Sequence, residues 1–111
     1  MIEQALGRKH APVDSHLEAV GDAYYLAGRP EEAMVLLKQF LSRYPNVLPA
    51  HLTLAAVYSE LGKEEEAQSE AAEVLRLNPK FSLEVHRQRV PIKDPAVLER
   101  HIAVLRKAGL K

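Results

Sequence analysis

A register of 34 residues governs this chain, because sliding the sequence along itself by that interval superimposes two segments position by position. Val20, Gly21, Tyr24, Gly28, Glu31, Glu32, Ala33 and Pro45 fall on Leu54, Ala55, Tyr58, Gly62, Glu65, Glu66, Ala67 and Pro79. Small residues meet small ones, the tyrosines coincide, and a proline closes each unit. A fixed period of this length marks a stacked repeat architecture, in which one supersecondary unit buries its apolar face against the next.

Each unit reads as two antiparallel helices. In the first, Asp14 or Ser15 is placed to cap a helix running to about Ala27, with Leu17, Val20, Gly21 and Tyr24 on one side at helical spacing. Gly28 ends it in the left-handed conformation that glycine adopts cheaply. Pro30 then sits in the first turn of the next helix, where its missing N–H is not needed. Glu31 and Glu32 lie at that helix's positive end, and Ala33, Leu36, Leu37, Phe40 and Leu41 form its buried stripe. The second unit predicts helices from about Leu48 to Leu61 and from Lys63 or Glu64 to Leu77, separated by Gly62. Gly21, Ala55, Ala33 and Ala67 let the paired helices approach closely.

These residues resemble the tetratricopeptide repeat. Its tryptophan position holds Leu17 and His51, its leucine position Val20 and Leu54, and its glycine position Gly21 and Ala55. The tyrosine is kept as Tyr24 and Tyr58, the alanine as Ala33 and Ala67, and the proline as Pro45 and Pro79; the phenylalanine is replaced by Leu37 and Ala71. The resemblance implies an all-α solenoid of helical hairpins wound as a right-handed superhelix, with units at 14–47 and 48–81. Residues 1–13 align with the end of a preceding unit, Leu6 falling where Phe40 and Val74 do, so they read as a partial repeat or N-terminal cap. Residues 82–111 form a degenerate third unit. In it a short helix from Ser82 to about Gln88 is broken by Val90-Pro91. A capping helix over about 95–108 follows, started by Asp94 and Pro95 and closed by Gly109. Its apolar stripe predicts docking on the neighbouring hairpin. The stretch from Phe81 to Leu110 is also similar to the end of the repeat region of some bacterial class III adenylate or guanylate cyclases, which implies a bacterial signalling context with the chemistry in another domain.

Chemistry within the chain is not indicated. There is no cysteine, so no thiol nucleophile, disulfide framework or cysteine-based zinc site. The five histidines (10, 16, 51, 86 and 101) read as surface or helix-face residues, without the paired spacing of a helical zinc site. Glu64-Glu65-Glu66 is a solvated, dipole-compensating run, and the glycines form no phosphate loop. We expect no enzyme activity, cofactor or metal. The apolar runs are too short to span a bilayer and no leader pattern opens the chain, so a cytoplasmic location is expected. The zero net charge divides sharply: residues 1–75 carry six basic and twelve acidic side chains, and residues 76–111 nine and three. This reads either as two solvated faces or as a dipole that orients partners and favours head-to-tail contacts between copies. The basic segment has Phe81 as its sole aromatic, which offers no stacking platform and argues against nucleic acid.

In the family the first helix of each hairpin lines a concave groove. Carried over, this implies Ser15, Glu18, Asp22, Tyr25 and Leu26 from the first unit, and Leu52, Thr53, Ala56, Ser59 and Glu60 from the second. His86 and Arg87 would lie at the C-terminal end. Members that grip a peptide's C-terminal carboxylate use Lys, Arg and Asn in this groove; Glu18, Asp22, Leu52 and Ala56 stand here instead, so that clamp is missing. The resemblance therefore implies a partner protein or peptide with apolar residues for Tyr25, Leu26 and Leu52 and positive charge for Glu18, Asp22 and Glu60. Packing of Leu26 and Leu52 between units is the competing reading for those two. The alternative function is a structural or homo-oligomerising scaffold segment, in which a second copy covers the edge beside Leu17 and Tyr24.

Overall fold

The computed structural model of the chain describes residues 10–111. Six helices follow one another: α1 (His10–Leu26), α2 (Pro30–Arg43), α3 (Leu48–Glu60), α4 (Glu64–Leu77), α5 (Leu83–Arg89) and α6 (Pro95–Lys107). No strand occurs among the described residues. Helices α1 and α2 form one hairpin, α3 and α4 the next, and α2 packs against α3 to stack them.

The two hairpin turns are built alike. Gly28 and Gly62 have φ of 79° and 75°, where a side chain would be strained. At each turn the glycine N–H and the next residue's N–H reach back to the helix end. Gly28 donates to the Tyr25 carbonyl and Arg29 to that of Tyr24; Gly62 donates to Ser59 and Lys63 to Tyr58. This is the paired closure of a Schellman motif, which satisfies carbonyls that the helix leaves open. Gly109 closes α6 in the same way, with Leu110 donating to the Leu105 carbonyl.

Close helix approach explains the small residues. Ala33, Ala55 and Ala67 are buried, and a Cβ built on Gly21 would lie 3.0 Å from Leu37 Cγ and 3.1 Å from its Cδ2. Leu37 is itself fully enclosed. Gly21→Val therefore has no room, and we expect it to lower stability by about 1–3 kcal/mol in chemical denaturation, as overpacking does. An unchanged midpoint would mean the hairpin can open freely there.

Two segments differ from the sequence reading. α1 is already helical at His10, the first described residue, four residues before the expected cap at Asp14. The expected partial repeat at 1–13 otherwise lies outside the described residues, as does the side chain of Ser15. At the other end, α5 stops where Val90 turns extended before Pro91. The chain then crosses to α6, which packs chiefly on α3 and α5. α6 thus docks on the second hairpin as expected, but through the concave face of α3.

The reason lies in the two candidate surfaces. Outward positions of α4 such as Glu65, Gln68, Ser69, Ala72 and Arg76 are exposed and mostly polar, offering little to an apolar stripe. α3 is buried nearly all round, from Ala50 through Ser59. A helix apolar on every side must be covered on every side. Ile102, Leu105 and, just beyond α6, Leu110 supply that cover and are almost fully enclosed. Leu83 N–H also donates to the Lys111 carbonyl at 2.9 Å, tying the end of the chain to the start of α5.

Candidate functional site

The groove residues implied by the repeat register do not share one environment, because α6 covers half of them. In the second unit Ala56 and Ser59 are buried, and Glu60 is held by Arg100 of α6 at 3.1 Å. In the first unit Tyr25 is buried as well: its hydroxyl lies 2.7 Å from His101 Nδ1. His101 Nε2 lies 2.8 Å from His86 Nε2, so one hydrogen-bonded chain joins α1, α6 and α5. One nitrogen of that pair must accept, so the arrangement requires at least one unprotonated ring nitrogen at the contact. Burial holds His86 below the usual imidazole range and takes His101 to about 4, with His86 and Arg100 adding to the second shift. Arg87 sits on the far side and pairs with Glu99.

What remains of the concave face is a slot of about 380 Å³. Asp22, Tyr25 and Leu26 of α1 form one wall, and Pro49, Leu52 and Thr53 of α3 the base. His86 and Arg89 of α5, the Val90-Pro91-Ile92 connector and His101 close the other side. Of the residues carried over from the register, Asp22, Tyr25, Leu26, Leu52, Thr53 and His86 come together here. Glu18 lies one turn before Asp22, half-buried, and burial raises its carboxyl above the usual range.

Asp22 is the electrostatic focus. Its Oδ1 is buried and meets no hydrogen-bond donor among the described residues. Burial pushes the carboxyl up to about 6, the nearby Glu18 adds to this, and a hydrogen bond with Thr53 works against it. Its surroundings also include His86, Arg89 and His101 across the slot. A carboxyl raised in the folded state gives stability that is present below the ordinary carboxyl range and lost as pH rises through about 6. Asp22→Asn should therefore stabilise the free protein near pH 7.5 by about 1–2 kcal/mol, part of the shift being screened by solvent, with the gain shrinking below pH ~5. Denaturant titrations at the two pH values check this, and a destabilised Asn variant at pH 7.5 would contradict it.

The sequence reading missed the connector wall, Arg89, Pro49 and His101. The histidines read as surface or helix-face residues, and of these His51 and His101 are buried. His51 stands at the position aligned with Leu17. Its Nδ1 lies 2.6 Å from Glu70 Oε1 and its Nε2 2.6 Å from the Pro45 carbonyl, so the ring is a polar cross-link joining the second unit's two helices to the closing proline of the first unit. A polar ring at a repeat position reserved for packing was the available signal. His101 had none, because its partner Tyr25 is 76 residues away.

A family model described as Tetratricopeptide repeat matches residues 24–87, more than half of the chain. The match ends within α5, and no curated protein matches the chain, so the likeness of the C-terminal stretch to cyclase-associated repeats is not shown. Two stacked hairpins closed by equivalent glycine turns, with small residues at each helix crossing, carry the same pattern in three dimensions. The chain belongs to the tetratricopeptide repeat family.

Proposed function

We propose that this chain is a non-catalytic interaction module that receives a segment of a partner protein or peptide in the slot between α1, α3 and the 89–92 connector. Repeats of this family generally mediate protein–protein interaction. The observation that carries the reading is the slot itself: it is the part of the concave face that α6 leaves open, and its walls are largely apolar. Leu26 at its rim is 41% exposed, an apolar side chain available to a partner. The partner expected from the register, apolar with positive charge, now meets Leu26, Leu52, Glu18 and Asp22, since Glu60 already has Arg100. A cytoplasmic setting, and the bacterial signalling context implied by the C-terminal resemblance, belong to this proposal. The test is capture of partners from a bacterial lysate by the chain and by Leu26→Asp. The variant should lose the partners while keeping its helical circular dichroism and melting temperature; equal capture would remove the slot from the reading.

A second reading, homo-oligomerisation, is favoured by one difference between the units. His51, Leu54 and Tyr58 are buried, whereas their counterparts Leu17, Val20 and Tyr24 are only partly covered by described residues. A second copy seated on that edge of α1 would complete the burial. Light scattering after size exclusion decides it: a strict monomer at high concentration ends this reading, and a dimer dissociated by Val20→Lys supports it.

A further inference from the structure

We infer that the partner segment seated in the slot continues past Leu52 into a second pocket, where its phosphorylated serine or threonine side chain meets Lys80 and Arg89. This rests on the slot reading above and adds a subsite to it. The second pocket, of about 280 Å³, lies between the start of α3, the connection from α4 to α5, and α5 itself. Pro49, Leu52, His86 and Arg89 line both cavities, so the two adjoin, whereas Asp22 lines the slot alone. The pocket's charge is all of one sign. Lys80 and Arg89 line it, both are exposed, and no acidic side chain joins them. Other cations of this half of the chain have partners: Arg76 pairs with Glu73, Arg87 with Glu99 and Arg100 with Glu60. Lys80 and Arg89 form no ion pair within the described residues. Glu84, the acid of α5, lies outside the lining and acts on Arg87.

The neutral polar groups of the lining point the same way. Asn78 Oδ1 accepts from Lys80 N–H at 3.1 Å, which leaves the amide N–H groups of Asn78 to donate. Ser82 Oγ accepts from Val85 N–H at 3.4 Å, which leaves its hydroxyl hydrogen. His86 is engaged by His101 through Nε2. A pocket whose open polar groups donate suits a ligand group that only accepts, which is an anion. The amount of charge decides between a carboxylate and a phosphate. A carboxylate answers one of the two cations and leaves the other. A phosphomonoester carries about −1.5 to −2 near neutral pH, with three strong acceptor oxygens, and answers both. The arginine fork takes two of those oxygens and the ammonium, as a point charge, the third. Phe81, half-buried, and Val85, 43% exposed, give apolar surface to the residues flanking the phosphate.

The experiment uses the whole chain and three nonapeptide libraries with phosphoserine, serine or glutamate at the centre and randomised neutral flanks rich in apolar residues. Binding is read by fluorescence anisotropy at about 0.15 M salt, where loose surface attraction is screened. The phosphoserine set should bind at least tenfold more tightly than the serine set and several-fold more tightly than the glutamate set. Lys80→Ala and Arg89→Ala should each weaken the phosphoserine set several-fold, and the double variant should abolish its preference. Both side chains are exposed, so helical circular dichroism should stay unchanged. The control is Arg106→Ala with Lys107→Ala, two exposed cations on α6 that do not line the pocket, and it should bind as the parent does. A loss in the control equal to that of Lys80→Ala with Arg89→Ala would overturn the site in favour of diffuse attraction. Glutamate binding as tightly as phosphoserine would overturn the dianion argument. Leu26→Asp separates the two readings. Serine-set binding that Leu26→Asp abolishes, with no phosphoserine preference, would overturn this inference and leave the slot standing. A phosphoserine preference that Leu26→Asp leaves at full affinity would keep the anion subsite and overturn the slot. Binding of none of the three sets would overturn both.

Discussion

Leu105→Ala is expected to lower the unfolding free energy by about 2–5 kcal/mol, the range for deleting an enclosed leucine whose cavity cannot fully collapse. Leu105 has no exposed surface, and its helix covers α3 on the side opposite the hairpin partner. Loss of that side chain opens a void where α6 packs on α3. For a domain of this size each kcal/mol moves the melting temperature by about 4–8 °C, so a fall of roughly 10 °C or more should be seen. Leu75→Ala is the control, since Leu75 is 39% exposed on α4 and should cost well under half as much. A Leu105 variant within about 0.5 kcal/mol of the parent would mean that α6 is not part of the cooperative core. The same variant should weaken slot binding, because α6 carries His101 into the slot wall.

The second large effect concerns His51. His51→Ala should cost about 2–4 kcal/mol, through a lost buried ring and through the Glu70 carboxylate and Pro45 carbonyl left without their donor. Where the second unit has His51 and Glu70, the first has Leu17 and Leu36 at the aligned positions. A buried polar pair is often replaced by packed apolar residues at little or no cost, while breaking it from one side is expensive. The double variant His51→Leu with Glu70→Leu should therefore return to within about 1 kcal/mol of the parent. A double variant worse than His51→Ala would show that the Pro45 carbonyl, not the pair, holds this part of the fold.

Much of the architecture was legible because its determinants are local. A positive φ needs glycine, a first turn accepts proline, and a close crossing needs Gly21 or alanine; these requirements sit in the residues themselves. The boundaries of α4 and α6 followed from that chemistry, as Asp94 accepting from Ala96 N–H at 2.9 Å shows for the start of α6. The placement of α6 was not legible. It depends on a comparison between two surfaces, polar α4 and all-round apolar α3, and on where the Val90-Pro91 break aims the chain. The slot inherits that difficulty. Its α1 and α3 walls lie at repeat positions and could be carried over, but the connector wall and the Tyr25–His101–His86 chain arise only once distant segments meet. Glu60 was readable as an acidic groove position; that Arg100 of the same chain would occupy it was not.

The exposed, mostly polar row on α4 has a consequence for growth. Linear polymers of a stacked repeat need two unlike adhesive ends, one at each end of the unit, so that every addition regenerates the end it consumed. α4 offers Glu65, Gln68 and Arg76 where an adhesive end would need apolar surface. Any association through the α1 edge would pair like with like and leave two charged termini outward, so the assembly would saturate rather than lengthen into fibres.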